Sequence, residues 1–592
     1  MTNIDGSANT DMFDTDVLVV GTGPAGATCA LALATYGIGV RVATRWNWLA
    51  NSPRAHITNQ RALEVLRDLG VEEQATAVAT QWSSMGEMVF APSLTGPEIA
   101  RLRTWGTGEN RLSDYLQGSP CPLLDIPQPY LEPVLVENAA ARGAQVMFNT
   151  EYLSHRQDDT GVTSVLRDLL TGHEYTVRSR YLFGADGARS TIVDELGLPI
   201  EGTMGRAGTV YARFTADLAR YVAHRPGILH RIMIPAFGEI GLNTLRAVRP
   251  WHEWIAGWGY DLDGPEPDLR PAVVLDRIRS MIGDPNVEVT ITDVTRWQVN
   301  QAWATRYDEG RVFCGGDAVH RHPPSSGLGS NTSIQDAFNL AWKLAYVVKG
   351  WADPGLLDTY SPERVPIGKQ VVARANQSRM DYGLLNEVIG SHDSGSAQAR
   401  LRLLEDPGPD GVAAREALVA AVERKNEEFN AHGTELNQRY ESTAVLVDPN
   451  APQEQWSRDR GLYVQATTRP GAKIPHVWLI DETGHKRSTL DVVGKGSFTV
   501  VTGLAGHAWA AAVRKLALPF LRSVVVGEPQ TRDSYHDWFR VREIAEAGVL
   551  LVRPDGYVAW RHVRPAQDDA EALMLLERAL TAVLGQSAAQ DS

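Results

Sequence analysis

The 592-residue chain has only three cysteines, Cys29, Cys121 and Cys314, far apart and odd in number. They offer no disulfide framework and no zinc-ligand spacing, and they fit a reducing, cytoplasmic compartment. No H-E-x-x-H occurs. The one dense histidine cluster, His320-Arg321-His322, has an arginine in its middle and two prolines after it, so no metal site is expected. Positive charge is short as well: the formal charge is −14, which argues against nucleic acid and against an anionic membrane surface. The first residues, "MTNIDGSANTDMFDTD", lack both a basic region and an apolar core; they read as a short disordered tail, with no signal peptide. Residues 17–40 carry no charge and are long enough to span a bilayer. Five glycines, a proline and three threonines make a strand, a turn and a helix the better reading.

The chain is too long for one core, so two to four domains are expected, with the 43% hydrophobic content of a globular protein. "DTDVLVVGTGPAGATCALALATYGIGVRVAT" reads as strand, glycine turn, helix, strand, with the continuous apolar run of a buried parallel strand. Residues 211–298 hold alternating, β-prone segments, and a helical pattern covers residues 332–349. "LEDPGPDG" at 404–411 is a linker signal, followed by a charged helix near 413–431. Beyond residue 461 the pattern restarts with strands, a helix and a Pro554-Asp555-Gly556 hairpin turn. The expected division is a discontinuous dinucleotide-binding domain at 14–200 and 295–400, a β-sheet-rich domain at 201–294, a helical connector at 401–460 and a third α/β domain at 461–592.

Gly21-Thr22-Gly23-Pro24-Ala25-Gly26 matches G-x-G-x-x-G after a strand and at a helix start. The first glycine permits the tight turn, the second lets a pyrophosphate approach, and the third allows close helix packing. The helix N-terminus faces the phosphates with unpaired N–H groups. The second strand should end in an acidic residue that holds the ribose; here Thr44 stands there, with Arg45 next, which leaves the adenosine contact open. Two further motifs favour a flavin. "YLFGADGARS" places Asp186 and Gly187 after a strand, and "GRVFCGGDAVHRHPPSSGLGSNTSIQDAFNLAWKLA" places Gly316 and Asp317 after another, ahead of a proline-glycine loop and a helix.

In this order the three motifs resemble the class A flavoprotein monooxygenases, the p-hydroxybenzoate hydroxylase-like group. "PRAHITNQR", "GEMVFAPSL", "DIPQPYLEP", "VAHRPG", "RPWHEW" and "GLGSNTSIQDAFNLAWKLA" narrow the resemblance to the phenol hydroxylase branch, over nearly the whole chain. The resemblance implies a Rossmann-like FAD-binding domain, a β-sheet substrate domain and a C-terminal thioredoxin-like domain. The last has no cysteine here and cannot run dithiol chemistry. It implies FAD as cofactor and NADPH or NADH as reductant. The reaction it implies is ortho-hydroxylation of a phenol, chlorophenol-like, by O2 through a flavin C4a-hydroperoxide, in a homo-oligomer (dimer or tetramer). Asp317 would then accept from the ribityl chain. Pro324, Gly329, Ser330 and Asn331 would follow the isoalloxazine, and Gln128 would join the cofactor site.

The resemblance also places a base at His56, whose imidazole titrates near neutrality at the entrance of a helix beginning about residue 59. A helix-entry residue satisfying backbone groups is the alternative reading. Asp125 would orient His56 or the substrate hydroxyl, and Arg246 matches an arginine linked to flavin movement and nicotinamide approach. After "VAHRP", where the relatives carry bulky aromatics, this chain has "GILHRI". If His230 and Arg231 face the pocket, a larger polycyclic or anionic aromatic substrate is favoured; if they face solvent, nothing follows. A halogenase would need W-x-W-x-I-P, which is absent, and a non-catalytic FAD-binding scaffold remains the rival from another class.

Overall fold

The computed structural model describes residues 13–233, 243–389 and 394–586. Residues 1–12 of the expected N-terminal tail lie outside them. The apolar run after the tail forms the strand Thr15–Val20, central to a sheet. It pairs in parallel with Val40–Ala43 on one side and Glu174–Gly184 on the other, and these pair in parallel with Gln145–Met147 and Val312–Cys314. Such a sheet is covered on both faces, so Val17, Leu18 and Val19 are fully buried. The helix Pro24–Thr35, rich in alanine, is buried nearly all round, packed between Gly329–Val348 and Gln128–Ala141.

A second sheet holds the long strands Ile200–Thr215 and Thr290–Ala304, then Glu253–Tyr260, Asn243–Arg249 and Leu229–Ile232, ending on Glu87–Ala91 and Ala100–Arg103. Its alternation is that of a sheet with two different faces. Val210, Ala212, Phe214, Leu245, Ala247 and Ala256 enter a hydrophobic core, while Tyr211, Thr244, Arg246, Ile255 and Gly257 face a cavity. The short strand His320–Arg321 pairs with the edge of this sheet directly after Asp317, so the sequence that leaves the first sheet is pinned to the second.

The C-terminal region forms a four-stranded sheet in the order Leu521–Val526, Phe498–Gly503, Val549–Val552, Val558–His562; the first pair is parallel and the others antiparallel. One face packs on the helices His507–Leu516 and Asp569–Val583, the other on Leu479 and Trp538. Trp342 and Tyr346, from the helix Gly329–Val348, belong to the first of these cores, with the Trp342 ring edge-on to Phe498 at 5.7 Å. A buried ionic network joins the same elements: Glu363 accepts from Lys343 Nζ at 2.8 Å and from Arg553 at 2.6 and 2.8 Å. All three cysteines are buried thiols. Among the described residues, no helix is long and apolar enough to cross a membrane.

Candidate active site

The glycine turn is dictated by contacts. Gly21 has φ +106°, and a Cβ there would lie 2.2 Å from the Ala185 carbonyl oxygen; a Cβ on Gly26 would lie 2.0 Å from the Gly21 oxygen. Neither position admits a side chain. Around Gly23, in contrast, nothing lies within 4 Å of a Cβ position. This open space sits at the N-cap of Pro24–Thr35, whose first turn has no acidic residue and no side-chain cap. Its N–H groups are therefore free for an anion, as a pyrophosphate requires. Thr44 is buried, with Thr22 Oγ1 3.3 Å from its hydroxyl, and Arg45 is exposed over the Trp46 ring at 5.0 Å. Asp317 is exposed beside the same cavity. Asp186 caps a helix by accepting from Thr191 N at 2.8 Å, while its Oδ1 is buried with no partner. Burial raises its pKa. An open phosphate cradle, an exposed carboxylate and an adjacent loop fit FAD.

That loop is tied to the segment carrying His56. The Asn331 side chain accepts from Asn59 N at 2.9 Å and donates to the Ile57 oxygen at 2.8 Å and the Gly327 oxygen at 2.6 Å. Asn59 in turn caps the helix Gln60–Asp68 by accepting from Ala62 N. His56 thus precedes a two-residue strand, Ile57–Thr58, and the helix follows one residue later. The strand pairs antiparallel with Leu124–Asp125, Ile57 opposite Asp125, and Ile126 N donates to the His56 oxygen at 2.6 Å. This ribbon brings Asp125 to His56.

His56 Nδ1 lies 3.5 Å from Asp125 Oδ1, and neither atom has a hydrogen-bond partner. Arg246 donates to the other oxygen, Asp125 Oδ2. His56 is 8% exposed and Asp125 1%. Burial, and then the Arg246 cation, lower the His56 pKa against the opposing pull of Asp125. For Asp125, burial opposes ionisation, but Arg246 and His56 outweigh it and hold the carboxyl below its ordinary range. At neutral pH the group is a neutral imidazole beside a carboxylate paired to a guanidinium, poised to accept a proton.

One cavity of about 940 Å³ joins these features. Of the residues singled out in the sequence, Gly21, Gly23, Pro24, Ala25, Thr44, Arg45, His56, Gln128, Asp186, Arg246, Asp317, Pro324, Gly329 and Ser330 line it. Gly26, Asp125, Gly316 and Asn331 stand one layer behind, where they pack, pair or fasten the residues that do. Arg231 faces the cavity; His230 is buried on the other side, its ring centroid 6.3 Å from that of Trp254. Tyr211, Trp258, Tyr382 and Glu428 also line the cavity. Tyr382 and Glu428 lie beyond every motif, with no signal in the sequence to single them out. For Tyr211 the signal was the two-residue alternation of its strand, which marks two faces without saying which is the cavity; Trp258 pairs with Val210 on the core face, so alternation does not single it out.

Comparison with known proteins agrees with this geometry. The model of the family described as FAD binding domain matches residues 14–375, and that described as aromatic-ring hydroxylase, C-terminal, matches residues 467–587. The chain is 48% identical to a 2,4-dichlorophenol 6-monooxygenase of Cupriavidus pinatubonensis (strain JMP 134 / LMG 1197), covering 98% of each chain. It is 44% identical to a phenol 2-monooxygenase of Pseudomonas sp. (strain EST1001), over 95% of this chain and 92% of the relative. Among solved structures, the flavin-dependent monooxygenase PieE in complex with FAD and substrate superposes with a TM-score of 0.92 at 42% identity, covering 97% of this chain and 99% of PieE. The chain therefore belongs to the FAD-binding-domain family of class A flavoprotein monooxygenases and is an FAD-dependent aromatic hydroxylase.

Proposed function

We propose that the protein hydroxylates a phenol at the position ortho to its hydroxyl, giving a catechol. Phenol, O2, NAD(P)H and a proton yield catechol, NAD(P)+ and water. Bound FAD supplies the hydride acceptance and the oxygen activation, chemistry no side chain here provides. The turn at Gly21 to Ala25 would hold its pyrophosphate, Thr44 and Arg45 its adenosine side, and Asp317 its ribityl chain. The loop from Pro324 to Asn331 would run beside its ring.

The observation that carries the reading is the unpartnered His56 imidazole at the cavity wall, backed by Asp125 and Arg246. A phenol with an ordinary pKa of about 10 is almost wholly protonated at neutral pH, and its ring is a poor nucleophile in that state. His56 takes the hydroxyl proton, and the Asp125 carboxylate, 3.5 Å from Nδ1, stabilises the resulting imidazolium. Arg246 keeps Asp125 ionised for that purpose, and the sheet behind excludes water. The same reading carries a homo-oligomer, on the family resemblance, and a cytoplasmic, NAD(P)H-supplied compartment, in keeping with three free thiols.

Binding of 4-nitrophenol, whose anion is coloured, tests the proton transfer without turnover. The FAD-loaded protein should bind it with the anion's absorbance at a pH where free ligand is partly protonated, and His56→Gln should bind the neutral form. Equal spectra in the two proteins would remove His56 from the role.

A further inference from the structure

The strand Leu229–Ile232 turns Arg231 to the cavity, where no described carboxylate is its own ion-pair partner. The guanidinium donates to Thr244 Oγ1 and lies over the Tyr382 ring, 4.7 Å from its centroid. Its Nε is buried with no hydrogen-bond partner. No carboxylate among the described residues forms an ion pair with it. Glu428, whose charge is felt at Arg231, is already bound to Lys425 Nζ at 2.5 Å, and Lys425 covers Tyr382 at 3.4 Å. Around that ring two cations therefore face one carboxylate. Arg246 differs, since Asp125 offsets its charge.

A buried charge is costly unless it is paired, and a guanidinium remains protonated throughout the accessible pH range. The position where a counter-ion would sit faces the cavity. Its place relative to the reacting hydroxyl follows from the register. Arg231 stands opposite Thr244 and Leu229 opposite Arg246, so Arg231 and Arg246 are diagonal neighbours with Cα atoms about 7–8 Å apart. Arg246 marks the His56–Asp125 end. Arg231 is thus one step along the sheet from where the phenolic hydroxyl is held. Tyr211 lies further along the same face: its ring covers Gly257, where a Cβ would lie 2.6 Å from the ring and 3.7 Å from Thr244.

We propose that Arg231 binds an anionic substituent of the substrate, so that the preferred phenol carries a carboxylate on the part of the ring remote from its hydroxyl. The proposal rests on the phenol hydroxylase reading and narrows it to a substrate class. A planar carboxylate matches the fork of a guanidinium, which Lys does not reproduce.

The test uses the full-length, FAD-loaded protein and two matched pairs of probes, 3- and 4-hydroxyphenylacetate with the corresponding amides. Each acid and amide have nearly the same shape and differ in charge. Dissociation constants are read from the change in flavin absorbance on titration, which needs no turnover. For at least one pair the acid should bind about 10- to 100-fold tighter than the amide, the range of a charge-assisted hydrogen-bond pair. That ratio should fall to near one in Arg231→Gln and lie between in Arg231→Lys. Acids binding no tighter than amides to the unaltered protein would overturn the proposal, as would a ratio unchanged in Arg231→Gln. Product analysis separates the two claims: the predicted ratio without hydroxylation refutes the hydroxylase reading alone, and hydroxylation of acid and amide with equal affinities refutes the role of Arg231 alone.

Discussion

Replacing His56 by alanine removes the imidazole beside Asp125 while leaving the Asp125–Arg246 pair intact. The consequence can be sized from the substrate. A phenol of pKa about 10 is roughly 0.3% ionised at pH 7.5, so a ring that must react as phenolate loses up to about 300-fold without a base. General bases contribute about 10²–10⁴-fold, and the two ranges meet near 10². His56→Ala should therefore form catechol about 100-fold more slowly at pH 7.5. Its rate should rise close to tenfold per pH unit toward the substrate's own pKa. Phenols that ionise nearer neutrality should suffer less. The unaltered protein should instead lose kcat/KM only on the acid side, below pH 6.5, because burial and Arg246 hold the His56 pKa under its ordinary value. The assay is catechol formed per nicotinamide oxidised, followed from pH 5.5 to 9.5. A variant with the parental pH profile, or with less than a threefold loss, refutes the assignment.

Three further outcomes are expected. Gly21→Ala should fail to fold or retain no flavin, since its Cβ meets the Ala185 carbonyl; Gly23→Ala, with 4 Å of open space, should fold yet bind FAD more weakly. Flavin-to-protein ratio and melting temperature distinguish these, and equal flavin content in Gly23→Ala and the parent would refute the cradle. Glu363→Gln leaves Lys343 and Arg553 with less compensation in a fully buried network, which should cost about 3–5 kcal/mol in denaturant unfolding; a cost below 1 kcal/mol would contradict the importance of this junction. Burial pushes the Glu435 carboxyl up to about 8 from 4.5. Its folded pKa exceeds the unfolded one, so the stability it lends is complete below pH 4.5 and is lost as pH rises toward 8. Glu435→Gln should then gain on the parent with rising pH, by up to about 1.4 kcal/mol per unit; a pH-independent difference in urea midpoint would show that Glu435 does not titrate this way.

Much of the flavin framework is legible in the chain because it depends on local chemistry. The glycine fingerprint, the apolar run at residues 17–20 and the helix after the flavin loop, expected at 332–349 and found as Gly329–Val348, are each set by neighbours in sequence. The His56–Asp125 pairing is different. It spans 69 residues in sequence through strands only two residues long, too short to show any period, and only the family resemblance pointed to it. Asn331 was expected to follow the isoalloxazine. Its side chain turns out to fasten the loop to the Ile57–Asn59 segment, a contact no spacing announces. His230 and Arg231 were read together, as facing either pocket or solvent; as neighbours in a strand they point to opposite faces, and the pairing of Leu229–Ile232 with both Asn243–Arg249 and Glu87–Ala91 turns Arg231 alone to the cavity. The C-terminal region read as a restart of the pattern, but its core takes in Trp342 and Tyr346 from the flavin side. Buried aromatics in a helix do not reveal which partner covers them.

The central claim is hydroxylation of a phenol ortho to its hydroxyl, and its most direct test is NAD(P)H oxidation by the FAD-loaded protein with and without a phenol panel that includes 2,4-dichlorophenol. The products are identified by mass and regiochemistry, with one oxygen atom traced from ¹⁸O2. The account predicts phenol-stimulated oxidation and a catechol carrying one labelled oxygen. Flavin reduced by nicotinamide with no labelled catechol from any phenol would contradict it.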